Sequence, residues 1–172
     1  MVLQNNEALF EEIKRVGCLF LSLMRIAELE ANVEFTPPQI NAIWSICKVK
    51  RHLDRHLVCK NPDGVIKEFF YLAGKPKITT IAQVGIEKQG KRTYWEWAKK
   101  VYEDYSYKIE KVKTYGEIGT HFRLCDKQGE LIYDSYSFKP YELSEKGMYL
   151  NEGDSLYLYS TITESVFISL KP

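Results

Sequence analysis

The side chains best suited to chemistry in this chain are a cysteine and a histidine. Cys18 follows Gly17 and opens the apolar run Leu19, Phe20, Leu21, Leu23, Ile26. A thiol in the first turn of a helix gains from unpaired backbone N–H groups and the positive end of the helix dipole, which favour thiolate, the nucleophilic form. Gly17 permits a sharp entry and close approach of a substrate backbone. The plainer alternative is a small buried hydrophobe, a common role for free cysteine. A nucleophilic cysteine needs a base, and the chain holds three histidines: His52, His56 and His121. His121 lies in Gly119-Thr120-His121-Phe122, upstream of the turn Asp126-Lys127-Gln128-Gly129 and the segment Glu130 to Tyr136. If that hairpin closes with Cys125 opposite Glu130, His121 faces Asp134, and a carboxylate there would orient the imidazole. If Gly129 forms a bulge in a three-residue loop, Ser135 faces His121 and Asp134 turns to the other face.

Other clusters compete. His52, Asp54, His56 and Cys59 share a short stretch. On a helix, His52 and His56 would lie on one face and could chelate zinc. The stretch has no His-Glu-x-x-His or Cys-x-x-Cys signature, and Lys48, Lys50, Arg51, Arg55 and Lys60 surround it. The reading is a solvated basic helix end with no metal. That run could also meet phosphate, but the basic residues suit a helix C-terminus, and compensating acids remove any global basic field. Nucleic acid is therefore not an expected partner. The aromatics from Tyr94 to Tyr115, with Trp95 and Trp97, suit either a peptide- or glycan-binding groove or strand packing. No Gly-rich phosphate loop, Gly-x-Ser-x-Gly turn or dinucleotide fingerprint occurs, so no cofactor is expected.

The elements that must position these groups change character near mid-chain. Residues 6–73 read as helical and 77–170 as mainly strand, a segregation that predicts an α+β fold in one domain spanning 1–172. Helical spacing covers Asn6 to Val16, breaks at Gly17, and resumes from Cys18 to about Asn32. Thr36-Pro37-Pro38-Gln39 has the form of a capping box. A further helix opens after Pro62-Asp63 and stops at Gly74. Strands are predicted at Ile78–Ile86, Tyr107–Lys113, Thr120–Cys125, Glu130–Tyr136, Ser155–Thr161 and Glu164–Leu170. Thr93 to Tyr105 suits either helix or strand, and Lys88, Lys91 and Arg92 suit a hairpin loop around Gly90.

Composition supports a folded chain. With 172 residues, 45% of them hydrophobic and 13% aromatic, the chain has enough apolar side chains for one core. Lys and Arg number 24 against 23 acids, so no strong field selects an anionic partner. The longest nearly continuous apolar run, Val16 to Met24, is too short to span a bilayer, and Glu7, Glu11 and Glu12 stand where a secretory leader would be basic. Four cysteines are too sparse for a disulfide scaffold. The expectation is reduced thiols in a cytoplasmic protein without membrane association, of undetermined oligomeric state.

Gly17-Cys18-Leu19 leading an apolar helix with Ser22 resembles the nucleophile segment of papain-like cysteine peptidases, particularly the bacteriocin-processing (double-glycine) branch. Gly119-Thr120-His121-Phe122 and Tyr133-Asp134 resemble that group's later histidine and acid segments, in the same order. The Thr36-Pro37-Pro38-Gln39-Ile40-Asn41 helix start is similar to one that often follows the nucleophile helix there. The resemblance covers about residues 8–140. It implies a papain-like fold, with a helical lobe packed on a mainly antiparallel sheet. Cys18 would be the nucleophile, His121 the general base and acid, and Asp134 the orienting group. The substrate would be an amide in a peptide, a peptidoglycan stem peptide or a protein. In one respect the chain departs from the pattern. Papain-like enzymes commonly carry a glutamine several residues before the cysteine to help form an oxyanion hole. Here the only upstream glutamine is Gln4, outside that interval, which leaves Asn5 or Asn6 as substitutes if the chain folds back. A catalytically inactive papain-like domain that binds peptide or protein is the alternative. The chain also resembles a plasmid-encoded spirochaete family of unassigned function, which implies no activity.

Overall fold

The computed structural model describes residues 1–75, 79–84, 107–114, 120–126, 128–136, 149–151 and 155–160. The expectations for 85–106, including Trp95 and Trp97, and for Glu164–Leu170 lie outside these residues.

Among the described residues four helices precede six strands, the order the sequence pattern predicts for an α+β chain: α1 (Glu11–Val16), α2 (Cys18–Ala31), α3 (Pro37–Val49), α4 (Pro62–Leu72), β1 (Thr79–Val84), β2 (Tyr107–Thr114), β3 (Thr120–Asp126), β4 (Leu131–Asp134), β5 (Tyr149–Asn151) and β6 (Ser155–Ser160). The ends of the helices are written in local chemistry. Gln39 Oε1 accepts from the Thr36 N–H at 2.9 Å, which closes the capping box of α3. Asn61 caps α4 by accepting from the Gly64 N–H at 2.9 Å, with Pro62 in the first turn. Gly74 then ends α4 with φ 66°, while Lys75 N–H donates to Phe70 O and Gly74 N–H to Tyr71 O. That pair of bonds is a Schellman closure, and it requires a left-handed residue at Gly74.

α1 is shorter than its periodicity predicts. The Asn41 side chain accepts from Phe10 N–H and donates to Ala8 O, both at 2.9 Å, and pins residues 8–10 against α3 before the helix starts. Asn6 Oδ1 accepts from the Ala8 N–H, so it caps a local turn.

α2 is the central helix. Ten of its fourteen residues are buried, which is why it lacks the one-sided stripe of a surface helix. Phe20 meets Trp44 of α3 edge-on, with centroids 4.9 Å apart, and Phe69 of α4 at 5.1 Å. Ile109, Leu124 and Tyr133 extend this core into the sheet. A buried ion pair also fastens α2: Glu28 accepts from Arg25 at 2.8 Å and from the Phe35 N–H at 2.9 Å.

The sheet runs β1-β6-β2-β3-β4, with β5 also on β2, and its pairings are antiparallel. β5 was not anticipated, because three residues are too few to show alternation. Among the described residues no helix is long and apolar enough to cross a membrane.

Candidate active site

Cys18 is the first residue of α2. Gly17 N–H donates to Ile13 O at 2.8 Å and Leu21 N–H to Gly17 O at 2.8 Å, so α1 runs almost directly into α2. The need for glycine here differs from the expected one. Gly17 has φ −86°, open to any residue, but a Cβ would lie 2.5 Å from Ile13 O and 2.7 Å from Ile13 Cγ2. The close approach is by α1, packed against the start of α2.

His121 and Asp134 come together, though neither expected register does it. Next to the turn, Asp126 N–H donates to Glu130 O, Gly129 has φ 84°, and Cys125 pairs with Leu131, the arrangement expected with a bulge at Gly129. That register alone would turn Asp134 away from His121. A second irregularity follows: Leu124 pairs with Tyr133, leaving Ile132 as an extra residue, and Arg123 pairs with Asp134. Two shifts restore the original face. Asp134 becomes the diagonal neighbour of His121, within reach of a bridging side chain.

The resulting contacts are close. His121 Nε2 and Asp134 Oδ1 lie 2.8 Å apart, and the two side chains are 1% and 0% exposed. Asp134 Oδ1 also accepts from the Tyr136 N–H at 2.9 Å, while its Oδ2 is buried with no hydrogen-bond partner among the described residues. The Tyr136 ring stacks on the imidazole, with centroids 4.0 Å apart and planes 14° from parallel. Its half-exposed ring covers the histidine from that side. Tyr136 was not singled out from the sequence; the available signal was an aromatic two residues beyond Asp134 in the same alternation.

Cys18 lies near enough to His121 to help raise its pKa, and His121 Nδ1 is buried without a hydrogen bond of regular geometry. With Nε2 committed to Asp134, Nδ1 is the ring nitrogen available to the thiol. Burial works against the imidazolium, but the hydrogen bond to Asp134 and the nearness of Cys18, with their charges, prevail and raise the His121 pKa to about 9. Burial pushes the Cys47 and Cys59 thiols up to about 12 and Cys125 to about 11. All four cysteines are free.

The stretch from Lys50 to Asn61 corrects the zinc geometry. α3 ends at Val49, so His52 and His56 share no helix face. His52 Nδ1 contacts Asn61 Nδ2 at 3.2 Å, His56 Nε2 accepts from Arg55 Nε at 3.0 Å, and Asp54 accepts from the His56 and Val58 N–H groups. Arg51 at φ 61° and Leu57 at φ 66° force the chain out of helix. Among the described residues no group of three or more His, Cys, Asp or Glu could hold a metal. The basic side chains are largely compensated, Lys48 by Glu12, Lys50 by Glu68 and Lys60 by Asp54.

Gln4 is the other surprise. Its side chain is brought back to the site region: Nε2 donates to Lys14 O at 3.0 Å and Oε1 accepts from Ser135 Oγ at 2.7 Å. Spacing placed it too far upstream, because residues between Gln4 and Cys18 fold into a turn and a short helix before the nucleophile helix begins.

A family model described as "Protein of unknown function, DUF261" matches residues 1–148. The chain belongs to the DUF261 family. That membership agrees with the resemblance to a family of unassigned function, and brings no activity with it. No curated protein and no solved structure matches the chain. The likeness to papain-like peptidases therefore rests on the sequence resemblance alone.

Proposed function

We propose that this protein is a papain-like thiol hydrolase that cleaves an amide bond through Cys18, His121 and Asp134. The observation that carries the reading is the buried Asp134–His121 pair, 2.8 Å apart, in a fold whose central helix opens on Cys18. The α+β order, helices first and an antiparallel sheet after, is compatible with that fold.

The chemistry follows from the contacts. Asp134 holds Nε2 and leaves Nδ1 to exchange a proton with the thiol. The thiolate attacks the carbonyl carbon, and the Cys18 N–H at the helix start would donate to the developing oxyanion. The C–N bond breaks as the imidazolium protonates the leaving amine. Water then attacks the thioester with His121 taking its proton, the C–S bond breaks, and the acid product leaves the Cys18 thiolate. A peptide, a peptidoglycan stem peptide and an isopeptide-linked protein all present the required amide.

A non-catalytic peptide- or protein-binding domain is the second reading, and Cys18 favours it by being only 7% exposed. Alkylation followed by peptide mapping separates the two. A hydrolase labels at Cys18 well below the ordinary thiol pKa of about 8.5, loses that labelling in His121→Ala, and loses amide hydrolysis in Cys18→Ala. Slow labelling at Cys18 with an ordinary pH dependence would refute the hydrolase and leave the binding domain.

A further inference from the structure

The N-terminal segment makes a second set of contacts that the proposed chemistry does not use. Tyr133 Oη donates to Val2 O at 2.8 Å, and Gln4 N–H donates to Ser135 O at 2.8 Å. Tyr133 and Ser135 flank Asp134, so the segment grips β4 and its extension on both sides of the acid. The Gln4 side chain, 2% exposed, adds two bonds of opposite sense: it accepts from Ser135 Oγ at 2.7 Å and donates to Lys14 O at 3.0 Å. Lys14 lies in the last turn of α1, whose end runs straight into Cys18.

We propose that Gln4 is a positioning residue, whose carboxamide ties the α1–α2 junction to the strand end bearing Asp134 and so sets the spacing of Cys18 from His121. The inference rests on the Cys–His–Asp reading above. Residue chemistry at this position is narrow. A glutamate at position 4 could accept from Ser135 but not donate to Lys14 O, and a lysine could donate but not accept. Both partners are buried or helical backbone, so each lost bond leaves a polar group without its mate. Nothing else among the described residues links α1 to the Asp134 strand by side-chain hydrogen bonds through one group.

The test uses the full chain with iodoacetamide as the probe, and measures Cys18 alkylation rate from pH 5 to 9.5 beside the thermal midpoint. Gln4→Met keeps similar bulk and removes both bonds. Ser135→Ala removes one and keeps the tie to Lys14, so it serves if Gln4→Met does not fold. Ile40→Val, a buried truncation in α3, is the control for lost stability alone. Thiolate is the alkylated form, so a cysteine that loses its contact with the base reacts more slowly at low pH. The expected result is about a tenfold or larger fall in rate at pH 6 for Gln4→Met, a smaller fall for Ser135→Ala, and wild-type rates above pH 9 in both. Ile40→Val should keep the wild-type profile. Wild-type profiles in Gln4→Met and Ser135→Ala, or an equal fall in Ile40→Val, would overturn the positioning role. A wild-type protein with no reactivity at low pH would instead overturn the Cys–His pair, and the positioning role with it.

Discussion

Asp134→Asn isolates the charge at the centre of the site. Asparagine keeps an oxygen to accept from the Tyr136 N–H and from His121 Nε2, so orientation is preserved while the anion is lost. In the wild type, burial opposes the imidazolium, and Asp134 with Cys18 overcomes it to give a pKa of about 9. Without the carboxylate, burial prevails over what remains, and the His121 pKa should fall to about 6.5 or below. A drop of two units or more corresponds to about 3 kcal/mol of lost imidazolium stabilisation, at about 1.4 kcal/mol per unit. The sign for folding follows. A histidine raised in the folded state gives its full stabilisation below the unfolded pKa near 6.5, and loses it as pH rises through about 9. Wild-type stability should therefore decline by up to about 3 kcal/mol between pH 6 and pH 9.5 on account of this group, and the Asp134→Asn protein should lack that decline. The raised thiols Cys47, Cys59 and Cys125 add their own loss above about pH 9, so the wild-type-minus-variant difference is the quantity to compare. His121 Cε1–H chemical shifts give the pKa directly, and urea unfolding at several pH values gives the stability. A histidine still titrating near 9 in Asp134→Asn, or identical pH slopes in the two proteins, would refute the account of the site as a carboxylate-held imidazolium.

Two further outcomes follow from packing. Gly17→Ala drives a Cβ into Ile13 O and Cγ2 at 2.5 and 2.7 Å, and should cost about 1–3 kcal/mol in urea unfolding as α1 is pushed off the Cys18 turn. Glu28→Ala strands the Phe35 N–H and the Arg25 guanidinium beside a fully buried site, and should cost about 3 kcal/mol; a loss below about 1 kcal/mol would show that the pair is not structural.

Much of the helical half was legible because its signals are local. Thr36 and Gln39, Pro62, and Gly74 each satisfy a helix end with a neighbour a few residues away, so spacing alone identifies them. At His52 and His56 a four-residue spacing implies a shared face only if the backbone is helical, and α3 ends before them at Val49. Arg51 and Leu57 take left-handed φ values there, which no residue type at those positions announces. In the β half, β1, β2, β3, β4 and β6 fall on runs recognisable from the sequence, while the three-residue β5 was too short to show alternation.

The candidate site divides along the same line. The sequence by itself determined that a thiol opens an apolar helix, that one histidine precedes a hairpin turn, and that an acid lies on the returning strand. These are facts of residue type and short-range pattern. Only the tertiary structure decided that His121 and Asp134 meet diagonally, because two successive one-residue shifts in the hairpin cancel on the side-chain alternation while displacing the strand. It also decided that Tyr136 covers the imidazole and that Gln4 returns to link Lys14 with Ser135. Those contacts join segments up to 131 residues apart, and their geometry is set by how the helices seat on the sheet. Local pattern carries no information about that seating, which packing of the shared core establishes.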